Sequence, residues 1–183
     1  MKTNPSAKEM VQIDLLRRSS GGDAVSFKKL YDFSSPQVYN YLSNMLQVRT
    51  VIDAAFLETY QNVWKNAKNY RPTLKVSIWI LGIARSIAKQ KMEHPDVKEL
   101  ISQHKNSEYN NTITDTIDQE TWQREALRNL DPYHREILGL ILMPHTTYPD
   151  IAKLLNLPLQ QVKTDVFTAK LAYKKNLVLD STK

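Results

Sequence analysis

The sequence predicts an all-α protein made of two small helical blocks joined by a flexible acidic linker. Three observations carry this. Apolar residues recur at three- and four-residue spacing along most of the chain, the period of an amphipathic helix. Gly is scarce, with only 4 in 183 residues, and Asp, Ser and Pro stand at the edges of the apolar runs, where helices begin. One polar, Asn-rich and acidic stretch, from about 94 to 118, divides the chain into blocks at 8–93 and 119–178.

In the first block, "KEMVQIDLLRRSSGG" fits a short helix ended by Gly21 and Gly22. "DAVSFKKLYDFSS" places Val25, Phe27, Leu30, Tyr31 and Phe33 near helical spacing, with Asp23 as cap. "SPQVYNYLSNMLQ" is expected to start a new helix after Ser35, with Pro36 at its first position. "RTVIDAAFLETYQNVW" follows and reads to about Lys68, where "NYRP" breaks it. Its only acids are Asp53 and Glu58. "VSIWILGIARSIAKQKM" closes the block, with Ile78, Leu81, Ile83, Ala84, Ile87 and Ala88 available for burial. The linker "HPDVKELISQHKNSEYNNTITDTIDQ" is expected to hold no more than a short helical turn in "VKELIS".

The second block reads as four helices. "TWQREALRNL" is the first, and "DPYHREILGLILM", capped by Asp131 with Pro132 in its first position, is the second. Thr147 and Asp150 have capping-box spacing. Two helices follow, about 148–155 and 159–176, around an "NLP" turn, which is the spacing of a helix-turn-helix. Ala152 suits a close helix crossing, and Asn156 tolerates a left-handed turn position. Ile151, Leu155, Val162, Val166 and Ala169 can share a core. Gln160, Gln161, Lys163, Thr164, Thr168 and Lys170 remain for the outside, where such a helix meets DNA bases and phosphates.

Composition excludes several classes. With 42% hydrophobic and 24% charged residues the chain resembles ordinary folded proteins. Cysteine is absent, which excludes disulfides and thiolate metal sites. His94, His104, His134 and His145 lack metal-ligand spacing, and no glycine-rich phosphate loop is present. Asp53 and Glu58 do not share a helix face closely. No catalytic residue, metal or cofactor is therefore expected, and the protein reads as a non-enzyme. The opening residues have no apolar signal core, and the apolar run at 76–84 is too short to span a bilayer, so a cytoplasmic protein without a membrane partner is expected. The formal net charge of +6 favours polyanion partners. From 1 to 93 basic residues outnumber acidic ones roughly two to one.

The ordered set of segments resembles the extracytoplasmic-function sigma factors of bacterial RNA polymerase. "GGDAVSFKKLYDFSSPQVYNYLSNML" is similar to the opening helices of their region 2, through Gly22, Asp23, Phe27, Leu30, Tyr31, Ser35, Pro36, Val38 and Tyr39. "LETYQNVWKN" and "WILGIARSIAKQ" resemble that region's next helices. "LRNLDPYHREILGLILM" and "TYPDIAKLLNLPLQQVKTDVFTAK" resemble region 4. The likeness runs from about Ile13 to Leu177.

The resemblance implies a promoter-specificity factor. Region 2 would dock on the clamp helices of the largest polymerase subunit, here through Asp53, Glu58, Gln61 and Asn62. It would open the −10 element with Lys65, Lys68, Asn69, Tyr70, Arg71, Lys75, Arg85, Ser86 and Lys89, cations for phosphates and Asn or Tyr for an unstacked base. Trp64, Trp79 and Trp122 are expected to pack in cores. Region 4 would read the −35 element with Gln160, Gln161, Lys163, Thr164, Thr168 and Lys170 and touch the flap of the second-largest subunit.

Two departures stand out. The recognition helix carries Asp165, Phe167, Thr168 and Leu171 where the family usually has Arg or His, and Asp165 is expected to repel a phosphate. The acidic docking motif would align with Val51, Ile52, Asp53 and Ala54, and only Asp53 is acidic. Members lacking these acids are thought to be activated by threonine phosphorylation. Thr50 is the first candidate for it, Thr59 the second, and an N-cap role for Thr50 the alternative. A Ser/Thr kinase or an anti-sigma factor then joins core polymerase and promoter DNA as a candidate partner.

Overall fold

A computed structural model describes residues 5–111 and 126–180. Among the described residues every regular element is a helix: α1 Ala7–Ser20, α2 Ala24–Leu46, α3 Arg49–Asn66, α4 Val76–Glu93, α5 Pro95–Asn111, α6 Pro132–Ile141, α7 Tyr148–Leu155 and α8 Leu159–Asp180. A short 3-10 turn, Ala67–Asn69, follows α3.

Local signals set most of the boundaries. Ser6 and Glu9 form a capping box at the start of α1. Asp23 caps α2, accepting from the amides of Val25 (2.9 Å) and Ser26 (3.1 Å). Asp131 accepts from Tyr133 and His134 and puts Pro132 at the start of α6, and Thr147 and Asp150 box the start of α7. Asn156 ends α7 at φ 56, the left-handed position expected for it.

Two expectations are corrected. The chain does not restart at Pro36, because α2 runs through it without a break. Pro36 leaves the Asp32 carbonyl without its helical donor, a loss of about 3 kcal/mol in an isolated helix. Leu30, Ser34, Val38, Tyr41, Leu42 and Met45 are buried on both sides of it, and that packing outweighs the break. The linker region is also more ordered than expected up to Asn111: α5 extends well beyond "VKELIS" and packs on α4. Residues 112–125, which include the end of the expected linker, Trp122 and the first half of the "TWQREALRNL" helix, lie outside the described residues.

Helices α1 to α4 surround Leu16, Leu30, Leu42, Leu46, Val63, Ile80 and Leu81. Helices α6 to α8 enclose Ile151, Leu155, Val162, Val166 and Ala169, the core list the spacing indicated, together with Ile137 and Leu140. The blocks are not separate: α2 packs on α6, α4 packs on α7, and their buried residues form one continuous cluster. Gly139 permits the close approach, since a Cβ there would stand 3.1 Å from Asn44 Nδ2. No described helix is long and apolar enough to cross a membrane.

Candidate nucleic-acid interface

The loop from α3 to α4 gathers most of the first block's expected DNA-facing side chains. Lys65, Lys68, Asn69 and Arg71 are exposed around the 3-10 turn, and Ser86 and Lys89 are exposed on α4. Tyr70 fixes the loop: its hydroxyl donates to the Leu74 carbonyl at 2.5 Å, and its ring meets Trp79 edge-on at 5.5 Å. Trp79 is half-buried rather than enclosed, and it lines an open groove of about 400 Å³ with Asn62, Asn66, Asn69, Ser86 and Gln90. Asn62 donates to the Glu58 carbonyl (2.9 Å), Asn66 to the Asn62 carbonyl (3.0 Å) and Asn69 to Asn66 Oδ1 (3.3 Å). The groove thus offers ordered amides beside an aromatic edge, chemistry that suits a planar polar ring. Trp64, expected in a core, is partly exposed on α3, its ring edge-on to Phe27 at 4.9 Å.

Two cations of the same set are held by the second block. Lys75 Nζ lies 2.7 Å from Asp150 Oδ2, and Arg85 Nε lies 2.7 Å from Glu136 Oε1. Glu136 is buried, and the same oxygen accepts from the Tyr41 hydroxyl at 2.7 Å. Burial first, and then Glu136, pushes the Tyr41 phenol well above its usual range, so it stays a donor. Asp150 also receives the Thr147 amide (3.1 Å) and hydroxyl (2.7 Å), so one carboxylate both caps α7 and binds Lys75. As arranged here, neither Lys75 nor Arg85 is free for a phosphate.

The acids expected to dock a partner are engaged within the chain as well. Asp53 accepts from Arg49 Nε at 2.9 and 3.1 Å and from the Tyr39 hydroxyl at 3.1 Å. Glu58 pairs with Lys91 at 2.9 Å. Gln61 is exposed and Asn62 half-buried. The N-cap of α3 is Val48, which offers no side-chain bond, so Thr50 is not the cap; it sits exposed in the first turn. Thr59 is fully buried, its hydroxyl donating to the Ala55 carbonyl at 2.7 Å, and it is withdrawn as a modification candidate.

Helices α7 and α8 adopt the helix-turn-helix arrangement. Gln160, Gln161, Lys163, Thr164, Thr168 and Lys170 are all exposed, as the spacing indicated. Asp165 corrects the expectation of repulsion. It is buried, and it accepts from the Tyr133 hydroxyl and from Gln161 Nε2 (2.7 Å), joining α8 to α6. Burial and then the bond to Asp165 push the Tyr133 phenol up to about 12. Gln161 is accordingly committed to Asp165.

No family model and no curated protein sequence matches the chain. Solved structures do. The structure of CnrH in complex with the cytosolic domain of CnrY superposes with a TM-score of 0.69 at 14% identity, covering 94% of this chain and 99% of that one. The sigma factor RpoE from Bartonella quintana, crystallised with the anti-sigma factor NepR, gives 0.66 at 15% identity, covering 84% of this chain and 98% of that one. The fold is that of an extracytoplasmic-function sigma factor.

Within this sigma-factor fold, Glu136 is the residue that sequence reasoning missed. Its only local signal was its place directly before the apolar run "ILGLIL", and an acid buried there has to find a partner. Asp150 was legible only as a cap. Phe167 and Leu171 were read as absences of Arg, yet they stand 63% and 53% exposed on α8.

Proposed function

We propose that this chain is a sigma factor that directs bacterial RNA polymerase core to specific promoters and takes part in initiation without being an enzyme. Residues 8–93 act as region 2, docking on core and opening the −10 element. Residues 119–178 act as region 4, reading the −35 element and touching the flap. The observation that carries this reading is the sigma-factor fold matched over nearly the full length of both relatives, with cationic side chains exposed on both blocks. Fold alone does not assign function; the loop at 65–71 with its Asn-lined groove, and the acid-free face of α8, supply the site chemistry.

The arrangement with Lys75 on Asp150 and Arg85 on Glu136 is a closed form, in which part of the −10 surface is occupied by the second block. Docking on core opens it. Because Asp53 and Glu58 are already ion-paired, basal docking is weak, and a phosphate on the exposed Thr50 is the charge that strengthens it. RpoE is held by an anti-sigma factor, and an anti-sigma factor is a candidate partner here on that analogy.

A second reading is favoured by those same pairs: a sigma-like DNA-binding regulator or adaptor that does not activate core. Purified core polymerase incubated with the wild type and with Thr50→Glu separates the two. Retention of core, stronger for Thr50→Glu, supports the sigma factor; no retention by either supports the regulator.

A further inference from the structure

We infer that the outer face of α8 reads A·T-rich duplex through thymine methyl groups, with Phe167 at its centre. The inference rests on the DNA-binding reading of α8 and goes beyond it by naming the bases. Helical geometry puts Gln160, Thr164, Phe167, Thr168 and Leu171 on one strip, at intervals of three and four residues. All five are exposed, and two of them, Phe167 and Leu171, are large apolar side chains that no described residue covers.

The threonines sharpen the chemistry. Thr164 donates its hydroxyl to the Gln160 carbonyl at 3.2 Å, and Thr168 donates to the Thr164 carbonyl at 3.1 Å. With both hydroxyls tied to their own helix, what these residues offer outward is a methyl group. The strip is therefore apolar at its middle and amide-bearing at its N-terminal end.

Charge decides what covers it. Between residues 148 and 177 the basic side chains are Lys153, Lys163, Lys170, Lys174 and Lys175, all exposed. The acids there are Asp150 and Asp165, both buried and hydrogen-bonded. Lys163, Lys170 and Lys174 follow one flank of the apolar strip. An apolar strip beside a row of cations and without an exposed acid is complementary to a major groove whose floor carries methyls and whose rim carries phosphates. Thymine is the base that presents a methyl there, and an amide such as Gln160 pairs with adenine. Gln160 and Phe167 are separated by about 10 Å along the helix, so the edges they reach lie about three base pairs apart.

The test selects duplexes from a random pool with the full chain and then replaces each thymine of the selected site by deoxyuridine, which deletes the methyl alone. The expected site is A·T-rich, with two or more thymines at which this replacement weakens binding about fourfold, the factor for one buried CH2-sized group. Phe167→Ala, exposed and so expected to keep the wild-type melting temperature, binds thymine and deoxyuridine duplexes alike. If duplex binding falls with salt as usual but ignores the methyls, the inference is overturned and the DNA-binding reading stands. If Phe167→Ala leaves all DNA binding intact and abolishes core binding, the strip is a protein surface and the inference fails. Absence of any salt-dependent duplex binding overturns both.

Discussion

Arg85 and Glu136 stand 51 residues apart in sequence and 2.7 Å apart in space. The pair is unequal: the Glu136 side chain is 3% exposed, Arg85 21%. The buried carboxylate depends on its two donors, Arg85 and Tyr41, while Arg85 can fall back on water.

Removing the carboxylate should therefore loosen the two blocks. Glu136→Ala is expected to cost about 3 kcal/mol in urea unfolding, the lower end for breaking a buried pair, because Arg85 keeps some access to solvent. X-ray scattering of the variant should show a larger radius of gyration. The released Arg85 adds about one phosphate contact, steepening the salt dependence of DNA binding by about one unit. An unchanged radius and slope would mean that apolar packing alone keeps the blocks closed.

Asp165 gives a prediction of opposite sense to the one its sequence position suggests. Were it a repulsive surface acid, Asp165→Ala would strengthen DNA binding and leave stability alone. Because it is buried and accepts from Tyr133 and Gln161, its removal is expected to destabilise the protein by about 1–3 kcal/mol. Thermal unfolding and a duplex-binding titration on the same variant distinguish these results.

Thr50 shares a face with Asp53, three residues on, so a phosphate there rebuilds an acidic patch beside a carboxylate that Arg49 now neutralises. The first turn of α3 also favours an anion. Phosphorylated protein should bind purified core about tenfold more tightly at low salt, one new charge-assisted contact, with the gain shrinking as salt rises. Phosphorylation at Thr50 that leaves core affinity unchanged would remove this mode of control.

Helix capping makes stability acid-sensitive. The Ser26 hydroxyl, then its amide, hold the Asp23 carboxyl below its ordinary value of 3.8. At Asp131, burial works upward, but the His134 and Tyr133 amides together with the His134 side chain outweigh it, and the net shift is downward. Both groups have folded values below unfolded ones, so their stabilisation is present above about 3.8 and is lost as pH falls through the lower folded values. Asn still caps a helix but does not titrate. Melting temperatures of Asp23→Asn and Asp131→Asn should therefore fall less steeply than the wild type below pH 4.

The fold was legible wherever the signal was local. Asp131 with Pro132, Thr147 with Asp150, and Asn156 in the left-handed position each act within one turn, and each appears where the sequence placed it. Pro36 misled because a first-turn proline and a mid-helix proline share the same local neighbourhood, and burial of the stripe around it decided the outcome. Asp165 could have been placed correctly: with Val162, Val166 and Ala169 it occupies the buried arc of α8. The closing pairs could not, because Lys75 meets Asp150 across 75 positions and Arg85 meets Glu136 across 51, and no periodicity reports such a meeting.

A sigma factor must make polymerase initiate at chosen sequences. Run-off transcription with purified bacterial core on a template carrying the selected duplex site tests it most directly. A defined transcript is expected from that template, weak with the wild type and stronger with Thr50-phosphorylated protein. No transcript from the wild type, from the phosphorylated protein or from Glu136→Ala, with core shown active on a control sigma factor, would contradict it.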